Sequence, residues 1–195
     1  MTTTENLTTE ELLDLSTPQN RMKRNVFNVL EYITDSQNDD SVAKNILLRV
    51  DYNVPMIIEP DGDNKIADDS RIRASLPTIQ AILKAKCNAI LISHMGRPKL
   101  VQKNLDKDGT ERSKLSLRPV SERLSKLLEM DVGFATDCIG TDVERAVASL
   151  PREGGGLLLL ENLRFYSQEE KNEEKFAKCV NKSIIVEILL CGLLP

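Results

Sequence analysis

The sequence predicts an α/β fold built on a doubly wound parallel sheet. Short apolar runs, such as residues 46–48 and 157–160, alternate along the chain with longer amphipathic stretches. The runs are apolar at successive positions, which is typical of strands buried on both faces of a parallel sheet. Helices covering both faces then give a three-layer α/β/α, Rossmann-like arrangement.

The first strand is predicted only after a long leader with weak signals. Thr8 and the acidic residues after it favour a short helix over residues 8–13, because threonine is a good cap and acidic residues suit a first turn. The polar residues 35–40 predict a loop. Residues 45–50 predict the first strand, and proline and glycine within residues 60–63 predict a turn.

A helix is predicted from Arg71 to Lys86, with Ser70 as its cap. Pro77 lies inside it and predicts a kink or a later start. The second strand is predicted at residues 88–93. The apolar face of the helix consists of Ile72, Leu76, Ile79, Ile82 and Leu83.

The remaining elements follow from turn residues and apolar spacing. Ser167 and Glu170 form a capping-box pattern, which predicts a helix through about Val180. The apolar residues 184–190 have the composition of a strand. The other predictions are a charged loop at 98–114, a helix from Pro119 to about Met130, a strand at 132–135, a helix at 141–150, a loop at Gly154–Gly156 and a strand at 157–160.

Composition argues against several classes of function. The net charge is -4 and basic residues form no block, which is unfavourable for nucleic-acid binding. No apolar run approaches the roughly 20 residues that span a bilayer. The four cysteines show no C-x-x-C spacing, so zinc or redox chemistry is not expected and no metal site is predicted. The leader has no basic region, and we expect a cytoplasmic protein with reduced thiols.

Polar residues cluster where the predicted strands end. In open α/β sheets, ligands bind outside the carboxyl ends of the strands. Three arginines, a histidine and two hydrogen-bonding side chains suit a small anion with several charges. The candidate residues are Asp51, Asn53, Arg71, His94, Arg97 and Arg164.

Each of these residues also has an ordinary structural interpretation. An arginine just after a strand is more often solvated or paired than bound to a ligand, and Asp51 suits a turn cap. His94, taken alone, is more often structural. Gly154–Gly156 precedes a strand and does not open a helix, which favours a loop over a phosphate cradle. Neither G-x-x-x-x-G-K-[ST] nor G-x-G-x-x-G occurs in the chain.

Five ordered segments together resemble the phosphoglycerate kinase family. They are Arg49 to Pro55 (RVDYNVP), Arg71 to Ile79 (RIRASLPTI), Ser93 to Pro98 (SHMGRP), Ser116 to Val120 (SLRPV) and Leu159 to Phe165 (LLENLRF). The third is close to the family's SHLGRP loop. The resemblance runs from Asn45 to about Val180 and is far more specific than any one motif.

The resemblance implies phosphoryl transfer between ATP and 3-phosphoglycerate, which gives 1,3-bisphosphoglycerate, in glycolysis. Asp51 and Asn53 would bind the hydroxyl and carboxylate region of the substrate. His94, Arg97 and Arg164 would hold its carboxylate and phosphate. Arg71 would be the catalytic residue, stabilising the phosphoryl group in flight. Members of the family are usually monomeric, and their Mg-ATP or Mg-ADP is bound in a second domain.

The chain also departs from the family pattern. Residues 1–42 are interpreted as a variable leader, 43–182 as the N-terminal, substrate-binding domain and 183–195 as a divergent apolar tail. A family segment of the type DAFGTAHR and the nucleotide-binding half have no counterpart, so we expect negligible kinase activity from this chain alone. Two alternatives stay open: a non-catalytic domain that binds small anions, and a gene fragment without function.

Overall fold

The computed structural model describes residues 43–58, 64–184 and 188–191. Seven strands alternate with helices in this part of the chain. The strands are β1 Asn45–Arg49, β2 Met56–Ile58, β3 Asn64–Ile66, β4 Asn88–Ile92, β5 Gly133–Ala135, β6 Leu157–Leu160 and β7 Ile188–Cys191. The helices are α1 Ser70–Lys84, α2 Lys99–Gln102, α3 Thr110–Lys114, α4 Arg118–Leu128, α5 Thr141–Ala148, α6 Ser167–Glu170 and α7 Glu174–Ile184, with a 3₁₀ helix at Leu163–Phe165.

Five strands form one parallel sheet in the order β5-β6-β4-β1-β7. The pairing of β1 with β4 runs from Asn45 opposite Asn88 to Arg49 opposite Ile92. Strands β2 and β3 form a separate antiparallel hairpin. Because β1, β4 and β6 are neighbours and run in the same direction, their carboxyl ends lie side by side at one edge of the sheet.

Helices cover both faces of this sheet. On one face, alternate residues of β4 and β6 pack in a buried cluster with Val143 of α5 and Phe176, Val180 and Ile184 of α7. Helix α1 contacts β4 and α4, and buries Ile72, Ile79 and Ile82. Every residue of β4 and β6 is buried, as expected for strands in the middle layer of three. The predicted doubly wound α/β fold is confirmed.

Most of the predicted strands and long helices are confirmed within one or two residues, but the predicted helix caps are not. Ser70 is the first residue of α1 and not its cap; Asp69 precedes it without a capping hydrogen bond from its side chain. The later start suggested by Pro77 is also wrong, because α1 runs through this residue. The buried face of α1 includes Ser75 and Thr78, while Leu76 and Leu83 are only partly buried.

The predicted loop at residues 98–114 contains two short helices instead, α2 and α3. The carboxylate of Glu111 accepts hydrogen bonds from the backbone N–H groups of Leu100 (2.6 Å) and Val101 (2.9 Å), at the start of α2. The carboxylate of Asp106 accepts from the backbone of Glu111 (3.0 Å) and Arg112 (2.8 Å), at the start of α3. These side chains satisfy amides that a helix start leaves unpaired.

The helix predicted from Ser167 through Val180 is two helices, α6 and α7. No side-chain cap forms at the start of α6, so the capping-box prediction is wrong. The strand-like tail does pair: β7 lies parallel to β1, with Ile46 opposite Ile188. The helix predicted near residues 8–13, the loop at 35–40 and the turn at 60–63 lie outside the described residues.

Two glycines before β6 occupy the left-handed region of the backbone. Gly154 has a φ of +85° and Gly155 a φ of +84°, which side chains rarely adopt. A Cβ on Gly154 would overlap the backbone carbonyl of Lys86, whereas a Cβ on Gly155 would meet nothing within 4 Å. The loop therefore requires glycine at both positions for its conformation, and at Gly154 for space as well.

Gly154→Ala should destabilise the protein more than Gly155→Ala, although the two backbone angles are nearly equal. The left-handed conformation alone should cost about 1 kcal/mol in each variant. The clash with a fixed carbonyl should raise the total for Gly154→Ala to about 3 kcal/mol. Urea unfolding followed by circular dichroism measures both, and equal losses of stability would contradict the close approach to Lys86.

Candidate functional site

The candidate residues are carried by loops that leave neighbouring parallel strands at the same edge. Asp51 and Asn53 follow β1, His94 and Arg97 follow β4, and Arg164 lies in the 3₁₀ helix that follows β6. The hydroxyl of Ser93 joins the first two loops, since it accepts from the backbone N–H of Tyr52 at 2.9 Å and donates to the carbonyl of Val50 at 2.8 Å.

The side chain of Asn162 ties the third loop to the second. Its Oδ1 accepts from the backbone N–H groups of Met95 (3.1 Å) and Arg164 (3.0 Å). Its Nδ2 donates to the carbonyls of Met95 (2.7 Å) and Leu115 (3.0 Å). Asn162 is fully buried, so water does not compete for these bonds. Because Asn162 lies two residues before Arg164, these bonds also fix the backbone position from which the Arg164 side chain extends.

Arg71 and Asp51 form an exposed ion pair, with 2.6 Å between Nη1 and Oδ2. Nearly half of each side chain is accessible to solvent. The other carboxylate oxygen of Asp51 accepts from the backbone N–H of Asn53 at 3.2 Å. Such exposed pairs contribute little to stability, so an incoming anion can separate Arg71 from Asp51 at small cost.

Asn53 and Gly96 bring the first loop against the second. The Oδ1 of Asn53 accepts from the backbone N–H of Gly96 at 2.9 Å. Gly96 has a φ of +62°, and a Cβ there would meet the side chain of Leu115. The carbonyl of Gly96 also accepts from Nη1 of Arg164 at 3.5 Å. Gly96 therefore contacts residues of both neighbouring loops, and its positive φ and the nearby Leu115 side chain favour glycine at this position.

Arg164 and Arg97 differ in how firmly they are held. The Nε of Arg164 lies 3.4 Å from Oε2 of Glu169, and a quarter of its side chain is exposed. The side chain of Arg97 is exposed and makes no hydrogen bond or ion pair with any described residue. An exposed guanidinium without a partner provides donors for an anion from solvent.

His94 is half-buried, and its environment favours the neutral imidazole. Burial lowers the pKa of His94 most, and the positive charge of Arg164 lowers it further. The carboxylates of Glu169 and Asp51 oppose this effect, while Arg49 adds to it. A bound anion would supply negative charge that offsets both causes, so ligand binding and protonation of His94 are expected to be coupled.

Hydrogen bonds and ion pairs link four of the six predicted residues. Asp51 contacts Arg71 and Asn53, and Asn53 and Arg164 both contact Gly96. The charges of Arg164 and Asp51 act on the pKa of His94. Arg97 directly follows Gly96, but its side chain makes no hydrogen bond or ion pair with the other five.

The candidates taken from the sequence omit four residues that shape the site, namely Ser93, Asn162, Glu169 and Arg49. The Nη2 of Arg49 pairs with Oε1 of Glu169 at 3.3 Å. Only the position of Ser93 after a strand could have indicated its role. Among these site residues, four arginines face two carboxylates, which leaves the site positive within an acidic protein.

Comparison with known proteins identifies the family. The phosphoglycerate kinase family model matches residues 36–186, more than half of the chain. The chain belongs to the phosphoglycerate kinase family. It is 48% identical over 139 residues to the cytosolic phosphoglycerate kinase of Triticum aestivum, covering 71% of this chain and 31% of the relative. It is equally identical to the phosphoglycerate kinase of Anaeromyxobacter dehalogenans strain 2CP-C, covering 32% of that relative.

Solved phosphoglycerate kinases share the fold. The structure from Coxiella burnetii matches 80% of this chain and 41% of that one, with a TM-score of 0.56 and 26% identity. The structure from Pyrococcus horikoshii OT3 matches with a TM-score of 0.61 over 79% of this chain and 35% of that one, at 24% identity. The chain thus spans about a third of the length of its curated phosphoglycerate kinase relatives.

Asn162→Ala should strongly destabilise the protein, because it leaves buried groups of Met95 and Leu115 without partners. We expect a loss of about 3 kcal/mol in the free energy of unfolding. Asn53→Ala is the matched control, since it removes one exposed hydrogen bond and should cost less than about 1 kcal/mol. Urea unfolding followed by circular dichroism compares the two, and similar midpoints would contradict the role given to Asn162.

Proposed function

We propose that this chain supplies the 3-phosphoglycerate site of a phosphoglycerate kinase. The observation that carries the proposal is the exposed guanidinium of Arg97, which has no hydrogen bond or ion pair with any described residue, in the loop that also carries His94 and that Arg164 contacts through Gly96. A ligand with a carboxylate at one end and a phosphate at the other matches separate arginine forks. The family membership makes 3-phosphoglycerate the first candidate.

Each site residue has a role in this proposal. Arg97, Arg164 and His94 bind the carboxylate and phosphate, because they are the cationic or titratable groups that the described fold leaves available. Asn53 and Asp51 contact the hydroxyl region of the substrate. Arg71, whose pair with Asp51 is exposed and weak, turns toward the phosphoryl group during transfer.

The reaction of the whole enzyme would be phosphoryl transfer between 1,3-bisphosphoglycerate and ADP, or the reverse with ATP. Such transfer depends on positioning and on neutralising charge, and an arginine at the transferred group is worth about 10³ to 10⁵ in rate. The described residues contain no group of three or more His, Cys, Asp or Glu side chains placed to hold a metal ion. The proposal takes the place of Mg-nucleotide from the family resemblance, which implies that a second domain binds it.

Other features of the proposal rest on the sequence. No helix in the described part of the chain is long and apolar enough to cross a membrane. The cytoplasmic location and the monomeric state stay predictions. Transfer requires donor and acceptor within a few Å, so we propose that the acceptor site described here acts with a nucleotide site and not alone.

Excess 3-phosphoglycerate should raise the melting temperature of the 195-residue chain. A ligand that binds only the folded state adds about 2.7 kcal/mol at 100 times its dissociation constant. Arg97→Gln should abolish most of the shift without lowering the melting temperature of the free protein, because the exposed Arg97 side chain makes no hydrogen bond or ion pair with any described residue. Arg145→Gln is a control with the same charge change on exposed helix α5. A shift that survives Arg97→Gln would refute the assigned site.

As the pH falls, protonation of His94 should increase the affinity for 3-phosphoglycerate. The pKa of free His94 lies below its usual value, and bound anion raises it, so binding takes up a proton and strengthens on acidification. The affinity gain approaches about tenfold for each unit by which the ligand raises the pKa.

Because the pKa of free His94 is lowered, calorimetric titration from about pH 8 to about pH 5 is needed to measure this effect. The phosphate of the ligand itself takes up a proton near about pH 6, which weakens binding in parallel. His94→Gln keeps that contribution and removes the histidine, so the ratio of wild-type to variant affinity isolates His94. A ratio that stays constant with pH would remove His94 from the ligand contacts.

A further inference from the structure

Glu169 joins two arginines at the rim of the site. One carboxylate oxygen lies 3.4 Å from Nε of Arg164, and the other lies 3.3 Å from Nη2 of Arg49. Only 12% of the Glu169 side chain is exposed, so its charge is poorly screened by water. The two arginines come from the end of β1 and from the 3₁₀ helix after β6, which are remote in sequence.

The contact with Glu169 restricts a side chain that would otherwise have several conformations. Arginine side chains carry about 2 kcal/mol of rotamer entropy, which is lost when they bind a ligand. The remaining side-chain contact of Arg164 is a 3.5 Å hydrogen bond from Nη1 to the carbonyl of Gly96. With Nε directed at Glu169 and Nη1 at Gly96, the guanidinium plane of Arg164 is fixed before any ligand arrives.

The position of Glu169 argues against a role in holding the core together. It lies in the four-residue helix α6, and neither of its partners is buried: Arg49 is half exposed. Glu169 also affects a proposed ligand-binding group, because the charge of its carboxylate raises the pKa of His94. Loss of this carboxylate should change the site more than the stability of the sheet.

We propose that Glu169 is a positioning residue that orders Arg164 and thereby gives the site its preference for a two-ended anion over a single anionic group. The proposal rests on the proposed function, because the two-ended anion is 3-phosphoglycerate. A carboxylate would thus help to determine which anion the site prefers, although its own negative charge repels anions.

Two opposite effects follow when the carboxylate is removed. The site becomes more positive, which strengthens the attraction for every anion. Arg164 loses its fixed direction, which weakens only ligands that need it at a set distance from the other arginines. Inorganic phosphate can be bound by whichever donors are available, whereas 3-phosphoglycerate must match two groups at once. The ratio of the two affinities therefore separates ordering from charge.

The test compares Glu169→Gln with wild type by calorimetric titration of 3-phosphoglycerate and of inorganic phosphate. The preference for 3-phosphoglycerate over phosphate should fall about fivefold in Glu169→Gln, equivalent to about 1 kcal/mol. Glu170→Gln is the matched control, because it makes the same charge change one residue along, where the carboxylate accepts from Gln102 at 3.4 Å and from no other described residue. The control should keep the wild-type preference.

A second measurement needs no ligand. The Nε–H signal of Arg164 in nitrogen-edited NMR, assigned with Arg164→Lys, should be sharp in wild type and in Glu170→Gln, and broadened by exchange in Glu169→Gln. The proposal requires both results. An unchanged or increased preference for 3-phosphoglycerate, or an unchanged Arg164 signal, would overturn it. If wild type binds no 3-phosphoglycerate, the proposed function fails and the NMR comparison alone decides whether Glu169 orders Arg164.

Discussion

The site depends on the buried amide of Asn162, because this one side chain fixes three loop segments at once. Its four hydrogen bonds reach Met95, Leu115 and Arg164, and the two bonds to Met95 are buried. An alternative loop conformation would leave buried groups unpaired, at a cost of about 1–3 kcal/mol each. The candidate side chains are thus carried by a backbone with little freedom, while the side chains themselves stay accessible.

The parts of the structure that sequence could predict are those set by local pattern. Strands apolar at every position, such as β4 and β6, have to lie in the middle of a covered sheet. Once the sheet is parallel, the residues that follow its strands must meet at one edge. This reasoning located the neighbourhood of Asp51, Asn53, His94 and Arg164 without any knowledge of side-chain contacts.

The parts that sequence could not predict depend on partners distant in the chain. Glu169 pairs with Arg49, 120 residues away, so no local pattern distinguishes it from Glu170. Helices α2 and α3 start where the carboxylates of Glu111 and Asp106 accept from backbone amides 11 and 5 residues away, which overrides the loop character of a charged segment. The capping-box pattern at Ser167 also failed, and the Glu170 carboxylate contacts Gln102, 68 residues away, instead.

Pro77 divides helix α1 into two parts, and each part is anchored in the core. Because proline has no N–H, the hydrogen bond from position 77 back to Arg73 is missing, and one link between successive turns is lost. The later part buries Ile79 and Ile82, and the first part buries Ile72 while Arg71 lies on its exposed side. The lost link therefore lies between two anchored turns. Arg71 is carried by a backbone that Ile72 holds in the core, while its own side chain stays accessible.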